Sequence, residues 1–182
     1  MDFEEGKKYF KEGIEILKLG AKTMEKVAKD EKATYYAIAF FAIAGLAQAI
    51  GTFNLFGLVT LPIMEVVFSF VGVGIIHLLA KLFGGKAKFM ELYRTNGIGY
   101  IAMWIAVIPF IGSTLAGLIG LWYIVVSVVI LKAVHKLSTG KAVMVVLIPL
   151  IVAAIIAAII TFIGVVFLSS MFGSSIPGLP KF

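Results

Sequence analysis

Beyond Ala33, charge is confined to two short stretches, Lys81 to Arg94 and Lys132 to Lys141, with Glu65 and Lys181 as the only exceptions. The runs between them are apolar and long enough to cross a bilayer, which takes about 20 residues with a range of about 17–25. The same pattern reaches the composition. The chain is 61% hydrophobic and 14% charged, whereas a soluble domain is about 45–50% apolar and about 25% charged. That leaves too little polar surface to solvate a water-soluble core, so a membrane protein is expected.

The net charge of +6 does not point to nucleic acid, because its distribution is wrong for a binding patch. The first 32 residues hold eight lysines against eight acids, and most of the surplus comes from the two basic stretches flanking apolar runs. Basic residues in such positions fix topology and face anionic lipid headgroups. The absence of cysteine removes disulfides, thiolate metal sites and cysteine nucleophiles. The charged N-terminal segment has no apolar h-region, so no signal peptide is expected and insertion starts with the first apolar helix.

Five spans are expected: Ala33 to Ile50, Leu58 to Ala80, Thr95 to Phe110, Leu115 to Leu131, and Ala142 to Ser169. The third is short for a span and the fifth is long enough to tilt. Uncharged turns at 51–57 and at Pro109–Ser113 divide them, and Gly84-Gly85 ends the second. Lys86 to Arg94 then reads as a short interfacial helix. Fifteen of the sixteen Lys and Arg residues fall in the N-terminal segment and the loops 81–94 and 132–141, none in the intervening turns. Strict alternation of this kind places the N-terminus in the cytoplasm and the C-terminus outside.

The expected class is therefore an all-α, polytopic membrane protein in three parts. Residues 1–32 form an amphipathic cytoplasmic or interfacial helical segment, 33–169 the five-helix membrane domain, and 170–182 an irregular outer tail. In the first part, Phe3, Phe10, Ile14, Leu17, Ala21, Met24 and Ala28 recur at helical spacing as one stripe. Gly6 and Gly20 allow it to break into two helices. The stripe either docks on its own bundle or the headgroups, or it binds a partner helix.

Glu65 is the one acid inside a span, and a charge at that depth costs about 2.5–3.5 kcal/mol on insertion scales. It reads as a proton or cation site, or as a protonated group that locks helices together. Asn54, Thr60, Ser69, Ser113 and Thr114 are candidate neighbours, with Ser69 one turn away on the same helix. His77 and His135 fall at the cytoplasmic ends of the second and fourth spans, with Glu91 and Arg94 nearby. These residues lack the HExxH spacing of a zinc site, so no metal or other cofactor is expected. Small-residue runs at Gly72–Gly74, Gly117–Gly120 and 153–158 permit close helix contact, and Pro62 and Pro149 sit inside spans. Gly84-Gly85-Lys86 lacks the spacing of a phosphate loop. No catalytic triad, carboxylate pair or Walker motif is present, so an enzyme is not expected.

From His77 onward the chain resembles the Yip family of Ypt/Rab-interacting membrane proteins, in its prokaryotic or archaeal branch. The matching text is His77-Leu-Leu-Ala-Lys-Leu-Phe-Gly-Gly-Lys86, Tyr93-Arg-Thr-Asn-Gly-Ile-Gly-Tyr100, Ile108-Pro-Phe-Ile-Gly112 and Val134-His-Lys-Leu-Ser-Thr-Gly-Lys-Ala142. The resemblance implies five spans, a cytoplasmic N-terminus and a membrane-organising role. Eukaryotic members bind prenylated Rab GTPases. The Asp-Leu-Tyr-Gly-Pro text of those members is missing here, so that partner is not carried over. The expected function is a non-enzymatic scaffold in the cell membrane. Its cytoplasmic face, with His77, Lys86, Lys88, Glu91, Arg94, Lys132, His135, Lys136 and Lys141, would meet anionic lipid headgroups, a protein partner or a second copy. The alternative is a small channel or transporter built on Glu65.

Overall fold

The computed structural model describes residues 2–172, and every regular element among them is helical. Seven α-helices follow in order: α1 Phe3–Leu17, α2 Ala21–Lys29, α3 Ala33–Gly51, α4 Gly57–Leu82, α5 Phe89–Gly99, α6 Gly112–His135 and α7 Thr139–Phe172. A 3-10 helix, Tyr100–Val107, continues α5 directly. The first compact unit runs to Val146 and a second begins at Leu147. The boundary falls within α7, whose first turns bury Ala142, Val145 and Val146 in the core of the first unit.

Local chemistry sets these boundaries. The Asp2 carboxylate accepts from the Glu4 amide at the start of α1, the side-chain cap that an orphan N-terminal donor needs. Leu19 takes a left-handed conformation, and the Leu19 and Gly20 amides donate back to Ile16 and Glu15 to close the helix. Asp30 accepts from the Lys32 amide and turns the chain into α3. Asn54 does the same for the Gly57 amide at the mouth of α4. Glu91 reaches back to the Lys88 amide at 2.7 Å and caps α5.

Four helices are long and apolar enough to cross a membrane: α3, α4, α6 and α7. They coincide with the first, second, fourth and fifth expected spans, each a little longer than the sequence suggested. α7 continues to Phe172, into what reads as tail; the rest of that tail, with Lys181, lies outside the described residues. The third expected span is different. Residues 86–94 do not make a separate interfacial helix, because α5 runs from Phe89 through the expected boundary at Thr95. The chain then tightens to 3-10 geometry over eight residues, an unusually long run of a form that rarely exceeds about four.

α5 is the hub of the first unit and packs on α1, α2, α3, α4 and α6. Leu92, Tyr93, Thr95 and Ile98 on it are fully buried. Where α1 and α2 cover it, burial of each large apolar side chain from water is worth about 1.5–3 kcal/mol. Against α3 the contact is backbone-close: a Cβ added at Gly97 would lie 2.5 Å from the Ala37 Cβ. Gly45 likewise brings α3 against the Leu61 carbonyl of α4, 2.6 Å from where a Cβ would stand. Small residues at such crossings replace the hydrophobic drive that lipid does not supply. Gly72, Gly74, Gly117 and Gly120, expected to serve this purpose, have no such neighbour within 4 Å.

The N-terminal segment is a helical hairpin docked on its own bundle, but through a face rotated from the expected stripe. Tyr9, Glu12, Gly13 and Ile16 are the buried positions of α1, whereas Phe3 and Phe10 are 75% and 43% exposed. Periodicity locates the apolar face correctly on α2, where Met24 and Ala28 are buried with Val27. On α1 the close approach of Gly13 to the Ile98 backbone decides otherwise.

Candidate functional site

Two polar constellations among the described residues join helices to one another. The first lies between α4 and the α5–3-10 continuation. Glu65 and Ser69 stand one helical turn apart on α4, and Tyr93 and Tyr100 stand seven residues apart opposite them. The Tyr100 hydroxyl donates to Glu65 Oε1 at 2.6 Å, and the Ser69 and Tyr93 hydroxyls share a bond of 3.0 Å. Ser69 also bonds the Val66 carbonyl at 2.7 Å. Antiparallel pairing thus matches two polar groups on one helix to two tyrosines on the next.

Glu65 also borders a recess of about 140 Å³ with Gln48, Tyr100, Met103 and Ser113. Of the neighbours expected for Glu65, Ser113 lines this recess. Asn54 and Thr60 are used locally, on the Gly57 amide and the Phe56 carbonyl. Sequence reasoning misses Tyr93 and Tyr100. Their seven-residue spacing is visible, but tyrosine is half apolar and reads as core in a greasy run.

The second constellation joins the two junctions that carry the basic residues. His77 Nδ1 and His135 Nε2 meet at 3.3 Å, and His135 is fully buried with Nδ1 unpartnered. Gly85 fits against that ring: an added Cβ would overlap His135 Nδ1 and lie 2.7 Å from the Ala80 carbonyl. The Lys86 amide donates to the His135 carbonyl at 3.0 Å, and Lys141 Nζ reaches the Phe83 carbonyl at 3.0 Å. The turn itself needs Gly84, whose φ is +89°, where L side chains are strained. Gly-Gly-Lys is therefore a clasp between the end of α4 and the end of α6.

The expected cytoplasmic-face set divides in two. Glu91 and Arg94 do not join the histidines. Glu91 caps α5, and Arg94 donates to the Thr34 hydroxyl at 2.7 Å and to the Ala28 carbonyl at 3.0 Å. Arg94 thus stitches α2 and α3 to α5 rather than facing outward. Lys136 pairs with Glu25 and ties α2 to the end of α6. Lys86, Lys88, Lys132, Lys136 and Lys141 remain on exposed positions. Among the described residues no group of three or more His, Asp or Glu side chains is placed to hold a metal ion.

The Glu25 carboxyl is held below the ordinary range by its hydrogen bond from Lys136 and by that charge. Asp30 is also lowered. Burial works against its charge, but hydrogen bonds from Tyr9 at 2.8 Å and Lys8 at 3.0 Å outweigh the burial. The Glu25 pair ties the N-terminal hairpin to the end of α6, and the Asp30 bonds close α1 against the end of α2.

The family model described as the Yip1 domain matches residues 15–161, from the end of α1 through most of α7. No curated protein and no solved structure matches the chain. The match covers most of the sequence, includes both junctions of the clasp and both tyrosines of the α4–α5 ladder, and shows that the chain belongs to the Yip1 domain family of membrane proteins.

Proposed function

We propose that this integral membrane protein is a non-enzymatic scaffold that presents a basic cytoplasmic face to anionic membrane or to an acidic partner. The single observation behind this reading is the clasp: it holds Lys86, Lys88 and Lys141 at the junction that Lys132 flanks, all exposed, beside two histidines that are turned inward. Each lysine near an anionic surface contributes about 1 kcal/mol of attraction, and a rigid junction holds several in one place.

In this reading the chain crosses the bilayer five times with its N-terminus in the cytoplasm, in the cell membrane of a prokaryote. The third crossing is the α5–3-10 continuation. From Thr95 to Val107 it rises about 24 Å, against about 20 Å for an α-helix of the same thirteen residues, because 3-10 turns rise about 2.0 Å per residue. Tighter winding thus compensates in part for a short apolar run. Labelling single cysteines introduced at positions 54, 88 and 110 tests the topology. Position 88 alone should be reached from the cytoplasmic side, and placement of 54 with 88 overturns it.

The scaffold itself is tested in zwitterionic proteoliposomes that capture vesicles containing phosphatidylglycerol. Reversing Lys86, Lys88 and Lys132 should abolish capture while the thermal transition stays in place. Unchanged capture sinks the reading.

A further inference from the structure

The strongest unassigned feature is a groove of about 590 Å³ between α1, α3 and the 3-10 helix. Its walls are Phe10 of α1, Phe40 and Ile43 of α3, and Trp104 of the 3-10 helix, with Asp2, Gly6, Lys7 and Lys11 also among the lining residues. The walls are braced: Trp104 Nε1 donates to the Phe40 carbonyl at 3.1 Å, and the Phe40 and Trp104 rings meet edge to face at 5.0 Å.

α1 presents three distinct sides. Tyr9, Gly13 and Ile16 are buried, Phe3, Phe10 and Ile14 form an exposed apolar ridge, and Lys7, Lys11 and Lys18 form a lysine ridge beside it. An exposed apolar ridge flanked by lysines is the composition of a helix lying in the headgroup–acyl boundary, where long lysine stems carry their charge back toward water. Lys11 makes no hydrogen bond or ion pair among the described residues. Lys7 holds only an exposed i,i+3 pair with Glu4 at 2.8 Å and lies over the Phe3 ring.

Gly6 supplies an independent observation. A glycine inside a helix costs about 0.5–1 kcal/mol relative to alanine. Here nothing local demands it: φ is ordinary and an added Cβ meets only the Tyr36 ring, at 3.8 Å. The absence of a side chain at Gly6 leaves the groove open rather than relieving a clash.

We propose that this groove binds one anionic phospholipid of the surrounding bilayer, with an acyl chain along Phe10, Phe40, Ile43 and Trp104 and the phosphate between Lys7 and Lys11. The shape selects a chain, because the walls are apolar; the charge selects an anion, because two lysines, Lys7 and Lys11, stand against the single Asp2 carboxylate among the lining residues. The site is separate from the clasp lysines and does not depend on the scaffold reading.

Native mass spectrometry of the detergent-solubilised full chain tests it, titrated with phosphatidylglycerol and with phosphatidylcholine of the same acyl chains. Phosphatidylglycerol should bind in a 1:1 adduct more tightly than phosphatidylcholine. Lys7→Gln and Lys11→Gln should each weaken that adduct by about 5-fold and together by about 30-fold, at about 1 kcal/mol for each lysine lost. Gly6→Leu and Gly6→Trp, which fill the groove, should remove binding of both lipids. Lys22→Gln with Lys29→Gln, the same charge change on α2, should leave it intact. Equal affinity for the two lipids, an adduct insensitive to both Gly6 variants, or equal loss in the α2 control overturns the proposal. Competition by soluble glycerophosphate as effective as the lipid itself also overturns it, since that result would place the affinity in the phosphate alone.

Discussion

Trp122 Nε1 of α6 donates to the Leu17 carbonyl at the end of α1, 3.0 Å away and 105 residues distant in sequence. The other tryptophan, Trp104, lies 5.8 Å from Phe10 of the same helix. Both tryptophans of the chain therefore report on whether α1 is docked.

That gives an acid-sensitivity prediction. Asp30, Glu5 and Glu25 all titrate below their ordinary range in the folded chain. A depressed carboxylate lends its full stabilisation above the ordinary pKa, about 3.9–4.3, and loses it as pH falls through the lower folded value. The hairpin should stay docked at pH 5 and 7 and loosen below about pH 4, with a red shift and loss of tryptophan emission in detergent. Asp30→Asn combined with Glu5→Gln and Glu25→Gln should leave the emission insensitive to pH across that window.

Arg94 is expected to behave as a structural tether. Its replacement by alanine removes charged donors from the Ala28 carbonyl and the Thr34 hydroxyl, each such bond being worth about 1.5–3 kcal/mol. Arg94→Ala should lower the thermal transition in detergent substantially. Arg94→Lys, which keeps the charge but lacks the forked guanidinium donors, should recover part of it. A transition unchanged in Arg94→Ala would show that Arg94 faces solvent.

The Glu65–Tyr100 bond should behave as a modest intramembrane contact. A double-mutant cycle of Glu65→Leu with Tyr100→Phe is expected to return a coupling of about 0.6 kcal/mol and no more than about 1.7 kcal/mol, the range for hydrogen bonds between membrane helices. Glu65→Gln keeps an acceptor and should cost less than Glu65→Leu in a denaturation series.

At the clasp, Gly85→Ala should be the most damaging small change, because its Cβ has nowhere to go between His135 and the Ala80 carbonyl. Gly140→Ala, with no atom within 4 Å of the added carbon, is the matched control and should be tolerated. Proteolysis in the 84–88 loop reads the difference. If Gly85→Ala resists cleavage as well as the parent, the His135–Gly85 packing is not what holds the junction.

Much of this architecture is legible in the order of the residues. The long apolar runs between charged stretches locate α3, α4, α6 and α7 within a few residues, since only helices can satisfy their own backbone in lipid. His77 and His135 are legible at the ends of two apolar runs, whereas the clasp that Gly84-Gly85-Lys86 makes against His135 is not. The partner of Glu65 is not legible, because Tyr100 lies 35 residues away on a segment whose 3-10 winding has no composition signal. The docking face of α1 is misread for a related reason: Phe3 and Phe10 look like core, and Gly13, which makes the contact, contributes no hydrophobicity at all.

Transfer free energy and backbone satisfaction act on each segment alone. For that reason the residue order suffices to place this chain in a membrane, to make it helical and to position most of its long apolar helices. Which charges are spent internally is settled by the folded arrangement instead, with Arg94, Glu91 and Lys136 bonded within the fold and Lys86, Lys88 and Lys132 left outside. That division depends on which carbonyls and carboxylates come within about 3 Å of each cation, a matter of long-range packing that no local pattern encodes.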